Sequence, residues 1–143
     1  FSMFMNSIEK PKADVRAVSM STVSWSGVEG SLSLDVTNPN TFGVPLSGID
    51  WELAVGGSRA VIGKVELRQE IPAKGVAPVT TSLRVDVRDA AAVASALSSG
   101  RRDYALRAKL HFSTPVGPLA VDLEHRGNIV ESASTVRSIL GGI

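Results

Sequence analysis

Two histidines, His111 and His125, are the side chains best suited to acid–base or metal chemistry, and both stand among charges: Lys109, Asp122, Glu124 and Arg126. An imidazole beside a carboxylate can pass protons or ligate a metal. A metal site needs three or four converging ligands, however. Strand parity also places His111 on a solvent-facing side, so a solvated surface histidine is expected. Ser7-Ile8-Glu9-Lys10 has the serine–lysine spacing of penicillin-recognising enzymes. The companion Ser-Asp-Asn and Lys-Thr-Gly elements are missing, so the match reads as coincidence. Arg101-Arg102 reads as a solvated basic turn. The sequence contains no cysteine, which removes disulfides, thiolate nucleophiles and Cys-ligated zinc. It also lacks a phosphate loop, a dinucleotide fingerprint and a nucleophile elbow. The residues therefore designate no catalytic, cofactor-binding or metal site.

The polar residues with the clearest structural task are Asn38 and Asn40, on either side of Pro39. Proline has a fixed φ and no N–H, so a strand should stop there. Asn38 is pushed toward extended backbone by the proline that follows it. Both amides can bond nearby backbone groups. The tripeptide is expected to be a buttressed strand end, its side chains serving structure and not a ligand.

Around it, Ser31–Thr37 alternates strictly: Leu32, Leu34 and Val36 point one way, Ser31, Ser33, Asp35 and Thr37 the other. That is a strand with one buried and one wet face. Beyond the corner, Ile49, Trp51, Leu53 and Val55 continue an apolar set begun by Val44 and Leu46. The parity slips once, and Ser47-Gly48 is the place for a bulge. Trp51 is a candidate core centre. Gly56-Gly57 signals a tight hairpin. The return strand turns Val61, Gly63, Val65 and Leu67 inward. Ile71-Pro72-Ala73-Lys74-Gly75 is a turn or crossing loop. Val79, Thr81, Leu83, Val85 and Val87 then form the most regular strand.

Ahead of these, Ala13–Trp25 is an irregular edge strand with a bulge near Ala17, and Ser26-Gly27 and Glu29-Gly30 mark turns. A short helix, Ala90–Ser99, has Asp89 as its expected N-cap and Gly100 as its left-handed terminator. Its narrow stripe of Ala90, Val93, Ala94 and Leu97 must dock on the sheets. A final hairpin places Leu110 opposite Val121, Phe112 opposite Leu119, Lys109 opposite Asp122 and Arg107 opposite Glu124. About seven short strands with one helix predict an all-β, immunoglobulin- or fibronectin-III-like antiparallel sandwich. The expected domain is 11–127, between an N-terminal tail, 1–10, and a C-terminal tail, 128–143. Phe1, Phe4, Met5 and Ile8 recur at helical spacing, and Val136, Ile139 and Leu140 share a helical face. Each tail is either a loose end or a docking segment against a neighbouring molecule.

Length and composition fit one such domain: 143 residues, 43% hydrophobic and 20% charged. That excludes the highly polar, disordered class. Formal net charge is +1, so the chain as a whole carries no electrostatic footprint for nucleic acid. No apolar run reaches the ~18 residues of a membrane-spanning helix.

The run Leu32-Ser33-Leu34-Asp35-Val36-Thr37-Asn38-Pro39-Asn40-Thr41-Phe42-Gly43-Val44-Pro45-Leu46 resembles the hallmark of the late embryogenesis abundant type 2 family and its water-stress and hypersensitive-response domain. Trp51–Val55, the Ile71–Gly75 loop before a regular strand, and the helix and hairpin that follow also fit, over roughly Pro11–Gly127. The resemblance implies a sandwich with a helix and a role in desiccation and other stress tolerance. It also implies a cell-envelope or periplasmic location, lipid-anchored in many bacterial members; the anchoring cysteine is absent from this chain, and the cytoplasm is the alternative. The expected function is non-enzymatic protection through weak contact with proteins or membrane surfaces, without nucleic acid or a small-molecule substrate. Ser31, Ser33, Thr37, Thr80 and Ser82 form the outward polar strip that would make such contact. The alternative is a structural envelope module that docks a specific protein partner, or itself, through its tails.

Overall fold

Alternation sorts the chain into two sheets. The computed structural model describes residues 8–24, 27–57 and 60–131. Strands β1 (Lys12–Ser24), β2 (Gly27–Thr37) and β5 (Val76–Val85) form one sheet with a two-residue strand, β8 (Val130–Glu131), in the order β5-β2-β1-β8. Strands β3 (Val44–Val55), β4 (Val61–Ile71), β6 (Asp103–Thr114) and β7 (Gly117–Asn128) form the other, in the order β4-β3-β6-β7. All pairings are antiparallel except β1 with β8. This is the expected sandwich, with one short helix, α1 (Val87–Ser98).

The inward residues form one core. Leu32, Leu34, Val36, Ile49, Leu53, Val79, Leu83, Leu106, Leu110 and Phe112 are all buried in it. Trp51 is 3% exposed and packs in the same cluster. Its cross-strand neighbours are the small residues Gly63 and Ala108, which leave room for the indole. A Cβ placed at Gly63 would fall on the indole's Cζ2 and Cε2 atoms. The Gly56-Gly57 turn has both φ angles positive, 60° and 74°, as a primed hairpin turn requires. The slip in β3 lies between Leu46 and Gly48, and the slips in β1 between Val15 and Ala17 and between Met20 and Thr22. The β6–β7 register has Lys109 opposite Asp122 and Arg107 opposite Glu124, as expected.

Several expectations need correction. Glu29-Gly30 is not a turn but lies inside β2. Gly30 faces Met20 at a bulge of β1, where a Cβ would collide with the Ser19 carbonyl, so glycine serves close strand approach there. Val87 belongs to the helix and not to β5, and the N-cap is Asp86 rather than Asp89. The Asp86 backbone is extended, and its carbonyl accepts from the N–H groups of Asp89 and Ala90 at 2.9 and 2.8 Å. Asp89 instead sits in the first turn, where its charge favours the helix dipole. The helix end is as expected: Gly100 has φ 92°, and Gly100 and Arg101 donate back to the carbonyls of Leu97 and Ala96, a Schellman pattern.

The sheets also continue past Gly127. β7 ends at Asn128, Ile129 is buried, and β8 pairs alongside Ser19 and Met20 of β1. β1 is therefore an edge only where β8 does not cover it. The apolar lead residues Phe1, Phe4 and Met5, the serine Ser7, the strand end Trp25 and the C-terminal Val136, Ile139 and Leu140 lie outside the described residues.

The loops after β2 and β4, the β6–β7 turn and the entry into β1 all lie at one end of the sandwich. Helix α1 closes the opposite end. It packs on β1, β2, β3 and β5 through Ala90, Val93, Ala94 and Leu97, all buried.

Candidate functional site

Asn38 is completely buried and Asn40 is 6% exposed, so their amides must find partners within the protein. The Asn38 Nδ2 donates to the carbonyls of Phe42, Ile71 and Pro72 at 2.8, 3.1 and 3.3 Å. Its Oδ1 accepts from the Asn40 N–H and the Asn40 Nδ2, each at 3.0 Å. Asn40 then pairs with the backbone of Glu9 like one step of a strand ladder. Its Nδ2 donates to the Glu9 carbonyl at 2.8 Å, and the Glu9 N–H donates to its Oδ1 at 2.9 Å. Two backbone bonds complete the corner: Asn38 N–H to the Gly75 carbonyl and Lys74 N–H to the Asn40 carbonyl, both 2.9 Å. Lys74 takes a left-handed φ of 53° to make its contact.

Two crossings between the sheets, β2 to β3 and β4 to β5, are thus fastened to each other and to the chain entering β1. A network this fully satisfied offers no free amide to a ligand. The amides of Asn38 and Asn40 are thus both buried and bonded within the protein, and further polar groups stand exposed on the outer faces of the sheets.

The β2 face carries hydroxyls in register. Ser31 stands opposite Ser82 on β5 and Ser19 on β1, and Ser33 stands opposite Thr80. The Ser19 and Ser31 Oγ atoms are 2.7 Å apart. Thr37 lies at the rim, opposite Val76. Ion pairs flank the array: Arg16 with Asp35 at 3.6 Å and Arg84 with Glu29 at 3.4 Å. The expected strip is therefore assembled, and Ser19 joins it. The two slips in β1 concealed that residue's facing.

The β3 face is different. Its rows alternate in charge, Lys64–Asp50–Lys109–Asp122 and then Glu52–Arg107–Glu124. Arg107 bonds Glu124 at 2.8 Å, and the carboxylate raises the guanidinium pKa. Lys109 stands 3.9 Å from Asp122. His111 lies on this outer face, as parity predicts, with its Nε2 2.8 Å from the Asp50 Oδ2. That partner was not legible in the sequence, because it depends on β3 lying beside β6. His125 stacks obliquely near Tyr104, with ring centroids 6.0 Å apart, so the two histidines do not converge. Among the described residues no three His, Asp or Glu side chains gather as a metal site would need.

The hydrogen bond from His111 holds the Asp50 carboxyl below its ordinary pKa, against a smaller opposing effect of desolvation. A depressed carboxylate adds stability above its unfolded-state pKa and loses it as pH falls through the folded value. The His111→Ala variant should therefore move the Asp50 midpoint upward, read by carboxyl-carbon NMR. An unmoved midpoint would show that the histidine is not the cause.

The family model for the late embryogenesis abundant protein, LEA_2, matches residues 33–127. The chain belongs to the LEA_2 family. The matched segment begins at Ser33 in β2 and ends at Gly127 in β7, so it contains the polar corner, the charged face and the helix. No curated protein matches the sequence. Among solved structures, a protein from Arabidopsis thaliana superposes with a TM-score of 0.69 at 24% identity, covering 87% of this chain and 85% of its own. A candidate late embryogenesis abundant protein superposes at 0.66 with 23% identity, covering 94% and 79%. A protein from Archaeoglobus fulgidus superposes at 0.55 with 14% identity, covering 84% and 94%. These likenesses establish a shared fold. Membership of LEA_2 marks the chain as stress-related.

Proposed function

We propose that this LEA_2 domain is a non-enzymatic protective protein whose working surface is the hydroxyl-bearing face of β1, β2 and β5. The observation that supports it most is the register that places Ser82, Ser31 and Ser19 in one row and Thr80 and Ser33 in the next. Hydroxyls both donate and accept, and their protons turn to suit the partner. At neighbouring-strand spacings of roughly 4.8 Å they hold a layer of water over a rigid sheet. As water is withdrawn, the same groups can bond the polar surface of a destabilised protein or a lipid headgroup layer. Such contacts exchange one set of hydrogen bonds for another, so each contributes little net free energy. Weak, broad contact of that kind suits protection of many clients.

The test is recovery of a dried or heated client enzyme. Wild type should preserve more activity than an equal mass of an unrelated sandwich protein. The combined Ser31→Val, Ser33→Val, Thr80→Val and Ser82→Val variant should lose that advantage while remaining folded, because β-branched residues suit strands. Equal protection by all three proteins would overturn the proposal.

A further inference from the structure

The two sheets present long outer edges, and three are obstructed. β5 contains Pro78, whose carbonyl accepts a bond from the Gln69 side chain of β4 at 2.9 Å. The same Gln69 bond ties the β4 edge to the β5 edge. β1 is interrupted by two register slips and covered at Ser19 and Met20 by β8. These are the usual ways of blunting a sheet edge. Among the described residues β7 has neither slip nor cover. Its ladder with β6 is continuous from Asp103↔Asn128 to Thr114↔Gly117, and its proline, Pro118, lies at the start. Every second residue of β7 directs its N–H and C=O away from β6. Leu119 and Leu123, on the inward parity, are only half-buried.

We propose that β7 is an interface for a second copy of this chain, pairing antiparallel with the partner's β7 about a two-fold axis at His125. The charges select the occupant and the register. Residues on one face must meet residues of the same parity. Centring the axis on Leu123 would oppose Asp122 to Glu124 twice, and centring it on Glu124 would oppose that carboxylate to itself. Centring it on His125 places Glu124 opposite Arg126 in both halves and Asp122 opposite Asn128. Like charges directly opposite destabilise a pair, and unlike charges stabilise it. Asp122, Glu124 and Arg126 are exposed in the single copy; Glu124 already pairs with Arg107 and Asp122 with Lys109 of β6, and each carboxylate keeps lone pairs for a second cation on its open side. The pairing would join the two β3-containing sheets into one and cover the open backbone row of β7 from Asp122 to Asn128.

The test uses charge reversal. Glu124→Arg and Arg126→Glu, each alone, place like charges opposite in both halves. Wild type should show concentration-dependent dimers in sedimentation velocity, and each variant should associate at least tenfold more weakly. A one-to-one mixture of the two variants restores unlike pairs and should dimerise again. Because the chain has no cysteine, His125→Cys supplies an independent measurement. It should form a disulfide-linked dimer on mild oxidation, whereas Ser82→Cys, on the other sheet, should not. A wild type that stays monomeric to millimolar concentration would overturn the proposal. So would dimers indifferent to both charge reversals, or binding of extended client peptides at β7 without self-association.

Discussion

Asn38→Leu should destabilise the domain by about 3–5 kcal/mol, because it strands at least two buried groups at about 1–3 kcal/mol each and breaks a network whose members depend on one another. The side chain is fully buried and shares leucine's branching and heavy-atom count, so the substitution opens no cavity. The carbonyls of Phe42 and Ile71 lose their amide donor, and Asn40 loses the acceptor that orients it toward Glu9. Three segments are then unfastened together: the β2–β3 crossing, the β4–β5 crossing and the chain entering β1. Against the total stability of about 5–15 kcal/mol usual for a domain, that loss is decisive. Urea unfolding measures it through the midpoint. Asn38→Asp should fare no better, since a carboxylate cannot donate to those carbonyls and would carry a buried charge. A loss below about 1 kcal/mol, the size of an ordinary surface change, would mean that the corner does not hold the crossings.

Gly63→Ala should cost about 2–3 kcal/mol through overpacking, although alanine is ordinarily preferred to glycine in a strand by about 0.5–1 kcal/mol. The overlap wins because the added Cβ has nowhere to go. It would lie on the Trp51 ring, and that ring is held between β4 and β6 with 3% of its surface exposed. Among the described residues the indole Nε1 has no hydrogen-bond partner. A forced displacement would therefore sacrifice packing but no bond. Trp51 fluorescence, read in a Trp25→Phe background, should move to longer wavelength as the ring meets water. An unchanged spectrum with unchanged stability would show that Gly63 does not confine the indole.

Much of this fold was legible because its determinants are local. The alternation of Leu32, Leu34 and Val36 with Ser31, Ser33 and Asp35 marks a face, and Gly56-Gly57 and a loop read over 113–118 fix which residues stand opposite; the strands in fact run on to Thr114 and Gly117. That is why Lys109 and Asp122 could be paired from sequence. What was missed depends on neighbours distant in the chain. His111 meets Asp50 only because β3 lies between β4 and β6, and no periodicity within either strand encodes that order. Ser19 joins the hydroxyl array in the short stretch of β1 between two slips that reset its parity. Glu9 presents backbone atoms to Asn40, so its side-chain type carried no signal. Asp86 and Asp89 are both plausible caps by type, and Val87 fits either a strand or a helix. Backbone direction at Asp86 decided between them.

A closed Asn38–Asn40 latch is what leaves the proposed contact to the hydroxyl face. Hydrogen exchange of the two side-chain amides, followed by NMR on nitrogen-labelled protein, tests this most directly. The Asn38 and Asn40 Nδ2 protons should exchange only on the timescale of global unfolding. Exchange at the rate of an exposed asparagine, or a shift of these signals alone when a client or vesicle is added, would contradict it.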